Sequence, residues 1–363
     1  MALSTQPYKG ARDFYPEDKR LQKYILNTWR KAVERFGYEE YDAPMLESLE
    51  LYKAKSGEEI VSEQTYSFTD RGGREVVIRP EMTPTVSRMV AARRQELAYP
   101  ARWYSIPNLW RYERAQRGRL REHWQLNVDV SGLEGIEAEH EMILVTDAIM
   151  KEFGATRSMY QININSRELM NFIMNDYLAL DSVQSYTLSK LIDRMHKMPR
   201  AEFIAEADAM FTPSQRETGS SEKLLTLLST QDIKDLPDQV KNSLQAQQLI
   251  ELLDQLETDG ITNAVFDITI MRGFDYYTGI VFEVADTDPE NNRSMTGGGR
   301  YNCLVGLFGV EPVPTVGFGS GDVTMANFLE SHDLLPKLAP ETELYVVLIG
   351  DVYSKAQKLL ATL

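Results

Sequence analysis

Three strand-like runs follow one another with no room for a helix between them. Ala101 to Ile106 and Asn108 to Glu113 are separated by a single proline, and the polar segment Arg114 to Leu120, with Gly118 inside it, leads into His123 to Ser131. Parallel neighbours need a crossover of a dozen or more residues, so strands this close pair antiparallel. The third run alternates: Trp124, Leu126, Val128 and Val130 fall on one side, and His123, Gln125, Asn127 and Asp129 on the other. The polar row either faces water or forms the floor of a site beneath the preceding loop.

Around this centre, apolar residues from Leu21 to Phe36 recur at three- and four-residue spacing, which predicts a helix from Pro16 to Gly37. Short strands are expected at Tyr38 to Met45 and Glu75 to Arg79, and a helix at about Pro84 to Leu97. Helical spacing dominates Arg167 to Gly260, and strand character returns at Ala264 to Ile270 and Gly279 to Ala285. Gly297 to Gly299 reads as a turn before a helix from Tyr301. Glu343 to Gly350 reads as a buried strand, and Val352 to Leu363 as an amphipathic helix that opens a further domain.

The chain has 363 residues, more than one core usually organises. Cys303 is its one cysteine, so no intrachain disulfide and no cysteine-rich zinc site can form, and a reducing cytoplasm is expected. Neither the charged start, Met1 to Lys19, nor any later run offers an apolar stretch of the ~20 residues a membrane span requires. No membrane association is expected.

Charge is unevenly placed. The whole chain carries -15, yet Arg71 to Arg121 holds twelve arginines, four acids and no lysine, a local +8. A solvated basic face would normally mix lysine with arginine; arginine alone supplies the planar fork that suits phosphate oxygens. The densest stretch, Arg111 to Arg121, is therefore a candidate polyphosphate loop. A third segment, Arg272-Gly-Phe-Asp-Tyr-Tyr-Thr-Gly279, sets an arginine, an acid and two tyrosines between strands, where the tyrosines serve either a site or a core. His123, His140, His196 and His332 show no metal-ligand spacing, and Glu139-His140-Glu141 is expected on a helix surface. No Walker loop is present.

Together these motifs resemble a family. Arg111-Tyr-Glu-Arg-Ala-Gln-Arg-Gly-Arg is similar to motif 2 of class II aminoacyl-tRNA synthetases. Arg79-Pro-Glu-Met-Thr-Pro and Arg272 to Gly279 resemble the two signatures of the histidyl branch. Gly298-Gly-Arg-Tyr301 and Val316 to Gly321 resemble that branch's later glycine-containing segments, the second being its motif 3 region. The resemblance implies an α+β fold, an antiparallel sheet of six or seven strands flanked by helices. It implies a catalytic domain at 1–166 and 261–333, a helical insertion at 167–260 and the start of an α/β anticodon-binding domain at 341–363. It also implies a homodimer, ATP with Mg2+ as cosubstrate, histidine as substrate and tRNA(His) as acceptor. Residue by residue, it puts Arg111 and Arg272 on the α-phosphate, Glu113 at the adenine amine and Arg119 with the ATP. Glu81, Thr83, Gln125, Asp129, Tyr276 and Tyr277 fall to the histidine pocket, Asp129 where many relatives carry Glu. No metal ligand is assigned to the chain.

One departure stands out. Motif 3 normally continues Gly-x-Glu-Arg, its arginine gripping the γ-phosphate; here Gly321 is followed by Asp322-Val-Thr324. A synthetase-like regulatory subunit of ATP phosphoribosyltransferase, or a stand-alone histidine sensor, would tolerate that loss. Intact Arg111, Glu113, Gln125 and Arg272 favour the ligase.

Overall fold

The computed structural model describes residues 3–53, 64–270, 276–291, 293–340 and 342–363. Arg272, with Gly273, Phe274 and Asp275 of the same signature, lies outside the described residues. The described residues form twelve strands: β1 (Glu39–Glu40), β2 (Leu46–Ser48), β3 (Tyr66–Thr69), β4 (Glu75–Ile78), β5 (Ala101–Ser105) and β6 (Asn108–Trp110), then β7 (Glu122–Ser131), β8 (Tyr160–Ser166), β9 (Ala264–Phe266), β10 (Ile280–Asp286), β11 (Thr296–Arg300) and β12 (Thr315–Gly321).

Nine of them form one sheet in the order β1-β5-β7-β12-β11-β10-β8-β9, with β6 also on β7. The expected six or seven strands were too few. Pairing is antiparallel through the middle, and β5, β6 and β7 join as their short connections require. The two end pairs, β1–β5 and β8–β9, are parallel, each reached through a long intervening segment. A second sheet, β2-β4-β3, stands apart from the first. The Tyr38–Met45 run is thus not one strand: it supplies only Glu39 and Glu40 to the large sheet.

β7 is buried on both sides over most of its length. Its apolar row, Leu126, Val128 and Val130, packs into the same core as Ile25, Trp29, Ala32 and Val33 of the helix Pro16–Glu34 and Met142, Val145 and Ile149 of the helix Glu137–Glu152. Each Leu, Ile, Val or Met side chain so removed from water contributes on the order of 1.5–3 kcal/mol. The first helix starts with Pro16 in its opening turn, and Gly37, at φ +80°, turns the chain after it. With the apolar row under helices, the polar row is left facing the site.

Four other expectations need correction. Gly297–Gly299 is not a turn but the middle of β11: a Cβ on Gly298 would come within 2.5 Å of the Gly317 carbonyl oxygen, so glycine is there for space. Tyr301 begins no α-helix; only the short 3-10 turn Val305–Phe308 follows it. The Glu139-His140-Glu141 triplet is not a free surface, because Glu139 is 1% exposed on a buried pair with Arg300, Glu141 pairs with Arg102, and His140 meets Asp259. Glu343–Gly350 is no strand: Leu344, Tyr345, Val347 and Ile349 are exposed, with no strand beside them among the described residues.

The Arg167–Gly260 stretch is helical as read, and its apolar residues run into the main core through the helix Leu244–Thr258. Among the described residues no helix is long and apolar enough to cross a membrane.

Candidate functional site

The β6–β7 connection, Arg111 to Arg121, folds over the polar row of β7 and forms one wall of a cleft of about 290 Å3. Arg111, Glu113, Gly118 and Arg119 come from that wall, His123 and Gln125 from the floor, Tyr277 and Glu283 from the β10 side, and Arg293, Gly319 and Thr324 from the far side. A larger groove of about 940 Å3 lies between helices of the 167–260 stretch and β9. Its lining mixes apolar side chains with Arg200, Asp267 and neutral polar groups, and none of the expected site residues reaches it.

The loop wall is held by its own charges. Arg119 Nε meets Glu113 Oε2 at 2.8 Å, and Arg111 Nε donates to the Pro80 carbonyl at 2.9 Å. Arg121 does not enter the cleft. Its guanidinium stacks 4.1 Å over the Tyr112 ring and donates to the Glu113 carbonyl, so it braces the loop from behind. Burial, reinforced by the nearby cations Arg111, Arg12 and Arg119, pushes the His123 imidazole down to about 3. His123 is therefore a neutral hydrogen-bonding group on the floor, not a fourth cation.

Behind the cleft lies a buried polar cluster. Tyr276 donates its hydroxyl to Glu81 Oε2 at 3.0 Å, and Thr83 reaches the same hydroxyl. The Tyr276 ring packs 5.0 Å from Tyr277 and 5.7 Å from Tyr301, while Tyr301 donates to Asp129 Oδ1. The structure thus joins Glu81, Thr83, Tyr276 and Tyr277 into one group and links it through Tyr301 to Asp129. Gln125 sits two turns of the pleat away on the same face. Arg79, from the same signature as Glu81, is structural instead: it is buried and donates to Asp42 and to the Ala43 carbonyl at 2.6 Å.

The glycines of β12 are read the same way as those of β11. A Cβ on Gly317 would stand 2.2 Å from Asp129 Oδ1, and one on Gly319 would stand 2.5 Å from Gln125 Nε2. These side chains lie flat across the neighbouring strand in space that only glycine leaves. Sequence reasoning missed Tyr301, His123 and Arg293 as site residues. His123 was legible as the first member of the polar row; Tyr301 and Arg293 carried no spacing signal.

Burial raises the Asp129 carboxyl from 3.8 to about 7, against the opposing pull of the Tyr301 hydroxyl. Without ligand the native state therefore keeps a proton that the unfolded chain gives up. The resulting stability is complete below about pH 4 and is lost as pH rises through 7. Asp129→Asn, which never ionises, is expected to gain thermal stability on the parent as pH goes from 5 to 8, by a few kcal/mol at most. A bound ammonium would compensate the carboxylate, and in the histidine pocket that the sequence resemblance implies, Asp129→Ala is expected to weaken histidine binding by about 1–3 kcal/mol. Melting curves and calorimetric titration check both; unchanged histidine affinity removes Asp129 from the pocket.

A family model described as histidyl-tRNA synthetase matches residues 10–322. The chain belongs to the histidyl-tRNA synthetase family. Among its curated relatives, the histidine--tRNA ligase of Leptospira biflexa is 45% identical over 350 residues, covering 96% of this chain and 79% of that protein. The one from Thermoplasma volcanium is 38% identical, covering 98% and 82%. Among solved structures, a histidyl-tRNA synthetase from Nostoc sp. PCC 7120 superposes with TM-score 0.80 at 22% identity, covering 99% of this chain and 84% of the other. A Bacillus halodurans protein titled ATP phosphoribosyltransferase regulatory subunit/histidyl-tRNA synthetase superposes at 0.82, also 22% identical, over 100% and 90%. The structural likenesses establish the fold; the ligase relatives at 35–45% identity support the synthetase and not the regulatory alternative.

Proposed function

We propose that this histidyl-tRNA synthetase family member activates histidine with ATP in the cleft and passes the acyl group to tRNA(His). The supporting observation is the adjacency of two chemically distinct compartments, an arginine-walled cleft and a buried carboxylate–tyrosine cluster, which share Tyr277. In this reading Glu81, Thr83, Tyr276, Tyr277, Gln125 and Asp129 take histidine. Its ammonium and ring N–H groups pair with the carboxylates and hydroxyls, and ligands that leave those groups unpaired are rejected. Arg111 holds the α-phosphate with Arg272 as its partner, Glu113 accepts from the adenine amine, and Arg119, braced on Glu113, adds positive charge.

The histidine carboxylate attacks the α-phosphate, a bond forms from carboxylate oxygen to phosphorus, and pyrophosphate leaves. Phosphoryl transfer of this kind is accelerated by positioning and charge stabilisation, which fixed guanidinium groups provide. Mg2+ bound with ATP would neutralise charge on the phosphate tail, and Glu283 on the cleft wall would be a carboxylate able to hold it together with phosphate oxygens. Among the described residues no group of three or more His, Cys, Asp or Glu could hold a metal.

Selectivity is the test: with pyrophosphatase present, histidine is expected to stimulate AMP release from ATP, and glutamine or tyrosine to have no such effect. Stimulation by an unrelated amino acid contradicts the assigned pocket. We further read the protein as a cytoplasmic homodimer with the catalytic parts at 1–166 and 261–333, the helical insertion at 167–260 and an anticodon-binding portion from 341. Sedimentation equilibrium at micromolar concentration checks the dimer, and monomer alone overturns it.

A further inference from the structure

The cleft's far corner is where the family's motif 3 arginine is absent and Thr324 stands instead. Thr324 Cγ2 lies 3.5 Å from the place a Cβ on Gly118 would take. The Cγ of Arg293 lies 3.1 Å from that same place. Gly118 of the β6–β7 loop, Thr324 of the helix Asp322–Ser331 and the stem of Arg293 therefore meet at one point, and all three line the cleft. Gly118 has φ +73°, so a side chain there would be strained and would also intrude on the Arg293 stem.

Arg293 belongs to the connection between β10 and β11, two strands that lie beside one another in the sheet. The other cleft arginines, 111 and 119, sit on the loop wall, fixed on the Pro80 carbonyl and on Glu113. A triphosphate whose α-phosphate is held at that wall extends its remaining negative charge across the cleft. On the Thr324 side the cationic side chain that lines the cleft is Arg293; Arg117, also beside Gly118 and Thr324, is turned to Asn291 and Ser331. We propose that Arg293 binds the β- and γ-phosphates of ATP, and hence the leaving pyrophosphate, in place of the arginine missing at 324. The positive charge has moved to an adjacent element rather than disappeared.

This assignment rests on the cleft being the ATP site, and it deepens that reading. Arg293→Ala is expected to raise the KM for ATP and for pyrophosphate in histidine-dependent exchange at least tenfold, the size of one lost charge-assisted hydrogen bond. AMP and histidine affinities, measured by calorimetry, stay within twofold, because neither ligand reaches the phosphate tail. Adding Thr324→Arg to Arg293→Ala restores the ATP KM. If Arg293→Ala weakens histidine binding, Arg293→Gln, which keeps the stem beside Gly118, repeats the measurement.

Retention of parental KM values for ATP and pyrophosphate overturns the assignment, as does a loss of AMP affinity equal to that of ATP. An active parent with an unaffected Arg293→Ala variant removes only this inference. A parent without exchange removes the catalytic reading, and direct ATP-versus-AMP binding to the two proteins then decides the role of Arg293.

Discussion

Arg111→Ala is expected to slow histidine-dependent pyrophosphate exchange by about 10^2- to 10^3-fold, roughly 3–4 kcal/mol of lost transition-state stabilisation. Histidine affinity should change by no more than a few-fold. The size reflects how Arg111 is held. Its backbone N–H donates to the Arg121 carbonyl across the base of the loop, and its Nε donates to Pro80, the residue before Glu81. An arginine held at its backbone and at its Nε needs little reorganisation when charge develops on the phosphate. Steady-state exchange separates the possibilities: a fall in kcat marks stabilisation specific to the transition state, whereas a rise in the KM for ATP at constant kcat marks uniform binding and sinks the assigned role.

Arg300→Ala should be the most destabilising of these substitutions, by about 3–5 kcal/mol in urea denaturation. The Arg300 and Glu139 side chains are 8% and 2% exposed, with contacts of 2.6 Å from Nε to Oε1 and from Nη2 to Oε2. Arg300 also donates to the carbonyls of Leu133 and Gly135, so its removal leaves a buried carboxylate and two carbonyls without their donor. The double replacement Arg300→Met with Glu139→Leu removes both charges and should recover most of the loss. Because Tyr301 comes directly after Arg300 and holds Asp129, the single variant should also lose histidine affinity. A cost below 1 kcal/mol for Arg300→Ala contradicts the buried pair.

The centre of the sheet was legible because chain length between strands dictates pairing, a local constraint. The two faces of β7 were legible as a clean alternation, but whether the polar row met water or a site was left open, and only the structure shows it buried over much of its length. What sequence could not show depends on distant partners. Glu139 reads as a polar residue on a helix until Arg300, 161 residues on, is placed beside it. The glycines of β11 read as turn residues because flexibility and lack of volume share one letter; volume decides there, as it does at Gly317 and Gly319 of β12, where Asp129 and Gln125 occupy the space. Tyr301 and Arg293 are single residues at a strand end and in a connection, and no periodicity marks them. Glu343–Gly350 has the composition of a buried strand, but composition does not supply a neighbour to pair with.

Exchange of labelled pyrophosphate into ATP by the unaltered chain, with Mg2+, saturating ATP and histidine, tests the catalytic assignment most directly. The reaction needs no tRNA, so it isolates the chemistry of the cleft and its buried pocket. The expected result is exchange that requires histidine and falls about 10^2- to 10^3-fold in Arg111→Ala. A folded, histidine-binding preparation that gives no exchange under these conditions contradicts it.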